Sequence, residues 1–335
     1  MTNGSTVSER PGSRLLSGPL RQPGAGLSRM DPGPRSSSGS ATSASSLTTP
    51  KPIEKASANT LLAVEAIQVE LSGVQETLLG NLGRRAVAAR RGALNDPVAI
   101  ELVDRLDYDF ADSARGAQLH AVRVATFDAA VRRFLKSDPA GTVVALGEGL
   151  ETQFWRLDND QVRWLTVDLP ETIELRQRVL PNGPRQSSHC GSALDLSWLD
   201  GLDPADRILV TAQGLFPYFL RDQVHGLISG IGDRLPGSRL VFDVVPEAML
   251  EMVRRASGRE RDLAVELWTW LFNPGERAAI AALPGVAELR DLASPLSRNP
   301  ASFGLAAIGR LQRRLRYSLP LVPVLQARFR ALSGE

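Results

Sequence analysis

Cysteine is all but missing from this chain of 335 residues. Cys190 stands alone, so neither an internal disulfide framework nor a multi-cysteine zinc site can be built, and a reducing compartment is the simple reading. Long apolar runs are missing as well. No stretch reaches the roughly 20 residues that a membrane span needs, and the N-terminal region lacks a continuous apolar segment of the signal-peptide kind. A cytoplasmic protein with no integral membrane segment is therefore expected. Lysine is scarce: Lys51, Lys55 and Lys136 are the only three among 39 basic residues, a skew toward arginine that fits a GC-rich bacterial genome.

The net charge of +2 conceals an uneven distribution. Residues 1–58 hold seven basic and three acidic side chains, which leaves the remainder at −2. A slightly acidic globular part has no electrostatic footprint for a phosphate backbone, so no nucleic-acid partner is expected.

Residues 1–58 are rich in Ser, Gly, Pro, Thr and Arg and poor in periodic apolar residues, a composition that predicts a disordered tail. The domain itself is expected over 59–335. Residues 59–118 read as N-terminal helices, with Asn95-Asp96-Pro97 suited to a helix start. A further amphipathic helix runs from Leu119 to Leu135, followed by breaker residues from Lys136 to Gly141. Beyond them the period changes. Thr142 to Leu146 is a short β-branched run of the kind buried on both faces, and similar runs follow at Val162–Val167, Arg207–Thr211 and Arg239–Val245. Helix-length stretches lie between them at Pro170–Val179 and Arg221–Leu235. The order predicts an α/β fold, a doubly wound, mostly parallel sheet with an N-terminal helical extension. Ligands bind such sheets beyond the carboxyl ends of the strands, where the strand order reverses.

The first strand ends in Leu146-Gly147-Glu148-Gly149-Leu150-Glu151-Thr152, where two glycines permit a tight bend and close ligand approach. Thr152 occupies the position of a third glycine that a dinucleotide site would use, which argues against NAD. Asp168, 21 residues after Gly147, ends the second strand. It can accept from both hydroxyls of a ribose, or it can cap the helix from Pro170.

In order and spacing, LGEGLETQFWRLD, VDLPETIELRQRVLP, SALDLSWLD, QGLFPYFL and RLVFDVVP resemble the successive motifs of the leucine carboxyl methyltransferase family, which includes bacterial O-methyltransferases of polyketide and secondary metabolism. Upstream, VQETLLGNLGRR, NDPVAIELVDRLDYDF and Arg123 are similar to that family's N-terminal region, so the resemblance spans Val74 to Pro246.

The resemblance implies a class I methyltransferase sheet, S-adenosyl-L-methionine as cofactor and a small-molecule methyl acceptor. It implies that Arg123 holds the cofactor carboxylate, that Gly147 and Gly149 pack against the methionine portion, and that Asp168, with Leu169 beside it, holds the ribose. Asp195 and Leu196 would flank the adenine, although Asp195 can also cap a turn before Trp198. Gln213 stands at the end of strand four, where the family has a glutamate. Two other departures are Glu148 between the glycines, and Glu151-Thr152-Gln153 where the family reads Asp-Thr-Arg. They motivate a rival reading, a catalytically impaired binding or assembly module.

Methyl transfer needs no covalent catalyst, and only a hydroxyl acceptor would profit from a base. Tyr218, His225 and His189 are the polar candidates near the carboxyl edge. His189-Cys190 does not make a metal site, since zinc wants three or four ligands. The region 247–335 is expected to be helical and to shape the substrate pocket. Within it, Trp268, Trp270, Leu271 and Phe272 either line that pocket or close the core, and Arg310, Arg313, Arg314 and Arg316 mark a basic amphipathic stretch.

Overall fold

The computed structural model describes residues 67–68, 76–203, 206–255, 266–295 and 322–331. The expected tail at 1–58 and the basic stretch at 310–316 lie outside the described residues.

Three α-helices precede the main sheet, α1 (Glu76–Arg90), α2 (Pro97–Arg105) and α3 (Ala117–Ser137), and a short parallel pair, Ile67–Gln68 with Leu106–Asp107, forms a separate two-stranded sheet. The predicted start at Asn95-Asp96-Pro97 is found. Asp96 Oδ1 accepts from the Ala99 N–H at 3.1 Å, and Pro97 opens the helix at a position where the N–H it lacks would have had no intrahelical partner.

The strands of the main sheet are β1 (Thr142–Leu146), β2 (Arg163–Asp168), β3 (Gln186–Cys190), β4 (Ile208–Ala212), β5 (Arg239–Asp243), β6 (Val286–Leu292) and β7 (Val324–Phe329). They form one seven-stranded sheet in the order β3-β2-β1-β4-β5-β7-β6. The pairs among β1 to β5 are all parallel, and β7 runs antiparallel to both β5 and β6. This is the expected doubly wound, mostly parallel sheet of the class I methyltransferase type. Helices α4 (Gln153–Leu157), α5 (Pro170–Val179) and α6 (Arg221–Arg234) connect the parallel strands, and α7 (Glu247–Arg255) and α8 (Pro274–Ala281) follow β5.

The central strands are apolar on both faces because both faces are covered. Val144, Leu146, Val210, Ala212, Leu240 and Phe242 pack on one side with α6 and Trp198. The alternate residues Val143, Ala145, Leu209 and Val241 pack on the other with Phe127, Val131 and Phe134 of α3. A third apolar cluster joins Leu79, Leu82 and Ala86 of α1 and Leu102 of α2 to Leu175 and Val179 of α5, with Leu150 of the glycine loop among them. The N-terminal helices thus clamp the loop at the end of β1.

One expectation needs correcting. Region 247–335 is not simply helical: it contributes α7 and α8, but also β6 and β7, the last two strands of the sheet. Trp270 and Phe272 belong to the core, in edge-to-face contact with each other and, for Trp270, with Phe216. No helix among the described residues is long and apolar enough to cross a membrane.

Candidate cofactor and acceptor site

Strand order reverses between β1 and β4, the place where a doubly wound sheet opens a crevice. The loop after β1 turns through Gly147 (φ +58°) and Gly149 (φ +55°), a left-handed backbone that favours glycine. The Gly147 N–H donates to the Val167 carbonyl at 2.8 Å, and the Gly149 N–H donates to Asp168 Oδ2 at 2.7 Å. Asp168 Oδ1 accepts from the Leu169 N–H at 2.8 Å. The acid at the tip of β2 is therefore fastened to the glycine bend after β1. Burial pushes the Asp168 carboxyl above its usual value, against the pull of these N–H groups and of Arg176. Asp168 is not the cap residue of α5, a position that Leu169 occupies, but its carboxylate reaches the first turn of that helix through the Thr172 side chain.

Space around the bend is tight. A Cβ at Gly149 would lie 2.4 Å from Leu78 Cδ2 of α1, and one at Gly147 would lie 2.6 Å from Leu215 Cδ1. Gly149→Ala is expected to destabilise the fold by about 1–2 kcal/mol from backbone strain alone, and by more once Leu78 has to move. Gly92, also left-handed but with nothing within 4 Å of its would-be Cβ, isolates the strain. Thermal melting should therefore show Gly149→Ala to be costlier than Gly92→Ala.

On the far side of the crevice, Arg123 of α3 donates through Nη1 to Asp243 Oδ2 at 2.9 Å, at the end of β5. The other Asp243 oxygen accepts from the Gly214 N–H. Gly214 (φ +70°) lies so close that its would-be Cβ would sit 3.0 Å from Arg123 Nη1. Gln213 Nε2 donates to Glu151 Oε2 at 3.1 Å, while its Oε1 is buried without a hydrogen-bond partner.

A profile described as leucine carboxyl methyltransferase matches residues 79–232. The tetracenomycin polyketide synthesis O-methyltransferase of Streptomyces glaucescens is 34% identical over 183 residues, covering 53% of this chain and 68% of that protein. The chain belongs to the leucine carboxyl methyltransferase family. An S-adenosyl-L-methionine-dependent methyltransferase of Gibberella zeae is 30% identical over 185 residues, covering 49% of this chain and 62% of the relative. Family membership makes the chain an enzyme of the methyltransferase class, with S-adenosylmethionine as its cofactor.

The three departures from the family pattern each have a partner inside the protein. Glu148 turns away from the bend: Oε1 accepts from Trp164 Nε1 at 3.0 Å, and Oε2 accepts from Thr166 Oγ1 and lies 2.9 Å from Arg176 Nη2. Burial raises its carboxyl, and Arg176 acts against that rise. Gln153 donates to Asp128 Oδ1 at 2.9 Å. The cation that Gln153 does not supply comes instead from Arg156 and Arg85. Arg156 sits 2.7 Å from Asp96 Oδ2, 2.8 Å from Glu151 Oε1 and 3.0 Å from Asp128 Oδ2, and Arg85 Nη1 is 3.2 Å from Glu151 Oε2. Burial would raise the Glu151 carboxyl, but Arg85 and Arg156 overrule it and hold the group at about 2.

The other named residues divide between the crevice and its surroundings. Tyr218, in the turn after β4, donates to Thr77 Oγ1 of α1 at 3.3 Å. His225 is paired with Glu276 Oε2 at 3.1 Å, and that carboxylate also accepts from Arg221 and Trp270, so the histidine serves the junction of α6 and α8. His189 approaches Ser197 at 3.5 Å and lines a cleft over the β3 edge with Ser187, Trp198 and Leu202. Asp195 Oδ1 accepts from the Ser197 N–H at 3.1 Å, the turn cap that was one of its two readings. Leu196 packs against Gly230 of α6. Among the described residues, no three His, Cys, Asp or Glu side chains group as a metal site.

Sequence reasoning missed Asp243, Arg85, Arg156, Asp128 and Arg176. Arg85, Arg156, Arg176 and Asp243 lie within the quoted family motifs, but their roles come from pairing across the fold.

Proposed function

We propose that the chain transfers the methyl group of S-adenosylmethionine to an oxygen of a small metabolite, either a carboxylate or a hydroxyl. The observation that carries this reading is the direct bond between Gly149 and Asp168, which sets an acid beside a backbone bend at the switch point of the sheet. The surrounding residues fit the cofactor's amino-acid end. Arg123 Nε and Gln213 Oε1 are buried polar atoms with no hydrogen-bond partner, a charged donor and a neutral acceptor for a zwitterion.

In this reading Gly147 and Gly149 let the backbone approach the methionine portion. Arg123 holds the carboxylate and Gln213 accepts from the ammonium. Asp168 and Leu169 take the ribose, and Asp195 and Leu196 border the adenine. When bound, the cofactor supplies an activated methyl group on a sulfonium. What remains for the protein is alignment of the acceptor and exclusion of water. Tyr218, held by α1 above the end of β4, is the side chain best placed to orient an acceptor. The name of the Streptomyces relative supports an oxygen acceptor of polyketide type. The impaired-module reading loses its motive, because Glu148, Gln153 and Gln213 all have internal partners.

The test is incubation with isotopically labelled S-adenosylmethionine and a panel of phenolic polyketides and carboxylic acids, read by mass spectrometry. A methyl ester is lost under mild alkali and an aryl methyl ether survives it, so the product itself distinguishes carboxyl from hydroxyl transfer. Failure to label oxygen in any acceptor, with the cofactor bound, would reject the reading.

A pH dependence follows from Asp168. The carboxylate must be charged to accept from two ribose hydroxyls, and burial raises its titration above the usual 3.8. Affinity for S-adenosylhomocysteine is therefore expected to fall as the pH drops through that raised value, while the protein is still folded. A flat affinity down to the onset of acid unfolding would contradict the ribose role.

A further inference from the structure

His120 lies one turn before Arg123 on α3, a spacing that puts both side chains on one face of the helix. It is 8% exposed, and its Nε2 atom has no hydrogen-bond partner. Arg123 is in the same condition: Nη1 is committed to Asp243, while Nε is buried and unpartnered. Two neighbouring buried nitrogens without partners are a standing cost that a ligand can relieve.

The sign of that ligand follows from the surroundings. Burial first, and then Arg123, Arg85, Arg84 and Arg156, hold the imidazole well below its ordinary value, so it is neutral. A neutral imidazole can present Nε2 either as donor or as acceptor. In the acceptor form it would draw a cation into a field of four arginines. In the donor form it adds an N–H on the same helix face as the unpartnered Arg123 Nε, two donors suited to one planar oxyanion. The opposite pole lies close by. Gly214, whose would-be Cβ would touch Arg123, follows Gln213, and Gln213 Oε1 is an unpartnered acceptor with the Glu151 carboxylate behind its amide.

We propose that His120 is a binding residue of the cofactor site, donating through Nε2 to the carboxylate of the methionine moiety alongside Arg123. This rests on the methyltransferase reading above. It adds a neutral donor to the arginine the family motif supplies, and it makes one face of α3 the source of both donors to the amino acid's carboxylate.

The test compares two ligands by calorimetry on the full chain: S-adenosylhomocysteine, which carries the amino-acid end, and 5′-methylthioadenosine, which shares the nucleoside and lacks the carboxylate. His120→Ala is expected to weaken S-adenosylhomocysteine by roughly tenfold or more and to leave 5′-methylthioadenosine within about twofold. His120→Gln, which retains a side-chain N–H, is expected to recover part of the loss. Equal weakening of both ligands in both variants would show a packing role only and overturn the proposal, as would unchanged affinity for S-adenosylhomocysteine. If the unaltered protein binds neither ligand, the methyltransferase reading itself fails, a result distinct from either of those.

Discussion

Replacing Arg156 by methionine is expected to cost the fold about 3–5 kcal/mol, the scale of breaking a buried ion pair by removing one partner. The arginine side chain is 2% exposed, and its guanidinium faces three carboxylates, Asp96, Asp128 and Glu151. Its Nε and Nη2 form a two-pronged contact with Asp128, and Nη1 reaches the other two acids and Thr152 Oγ1. Without it, Asp96 and Glu151 are left to Arg85 and Asp128 to the exposed Arg132 at 3.9 Å, and the start of α2, α3 and the glycine loop lose their common tie. Denaturant unfolding should show a lower midpoint. Arg156→Lys should fall between the two, since an ammonium keeps the charge and loses the planar fork. A loss below about 1 kcal/mol for the methionine variant would mean that the network rearranges around the missing cation and does not hold the loop.

Asp168→Ala is expected to weaken binding of S-adenosylhomocysteine by roughly 5- to 150-fold, corresponding to about 1–3 kcal/mol of charge-assisted hydrogen bonding. Two effects combine. The ribose loses an acceptor, and the Gly149 N–H loses the carboxylate that fixes the bend. Asp168→Asn separates them, because an amide oxygen can still accept from Gly149 while the charge is gone. Adenosine, which has the same ribose and no amino acid, should suffer the same proportional loss. An unaltered affinity for both ligands in Asp168→Ala would remove Asp168 from the site.

The parts of the site that were legible in the sequence are those encoded locally. Thr142 to Leu146 reads as a strand because a central strand buried on both faces carries no charged residue and is nearly all apolar. Gly147, Gly149 and Asp168 read as a pair of strand ends because a short helix fixes their separation. Gln186 to Cys190 did not read as a strand: it forms the sheet edge, half exposed, and carries Gln, Ser, Ser and His where an inner strand would carry Val and Ile. Val286 to Leu292, at the opposite edge, likewise mixes charged and apolar residues, with Glu288, Arg290 and Asp291 among them.

The ion network was illegible for a different reason. Arg156 meets Asp96 across 60 residues and Asp128 across 28, and no periodicity records such meetings. Asp96 was visible only as a helix start, although one carboxylate oxygen caps α2 while the other joins the network. The direction of Glu148 was equally hidden. With the glycine φ angles on either side positive, the backbone turns that side chain toward Trp164, Thr166 and Arg176.

The central claim is that the glycine bend and Asp168 together form the seat of S-adenosylmethionine. Calorimetric titration of the intact protein with S-adenosylhomocysteine tests it most directly. Saturable binding of one ligand per chain, lost in step with Asp168→Ala, is the expected result. Absence of any heat of binding at millimolar ligand, with the protein folded, would contradict it.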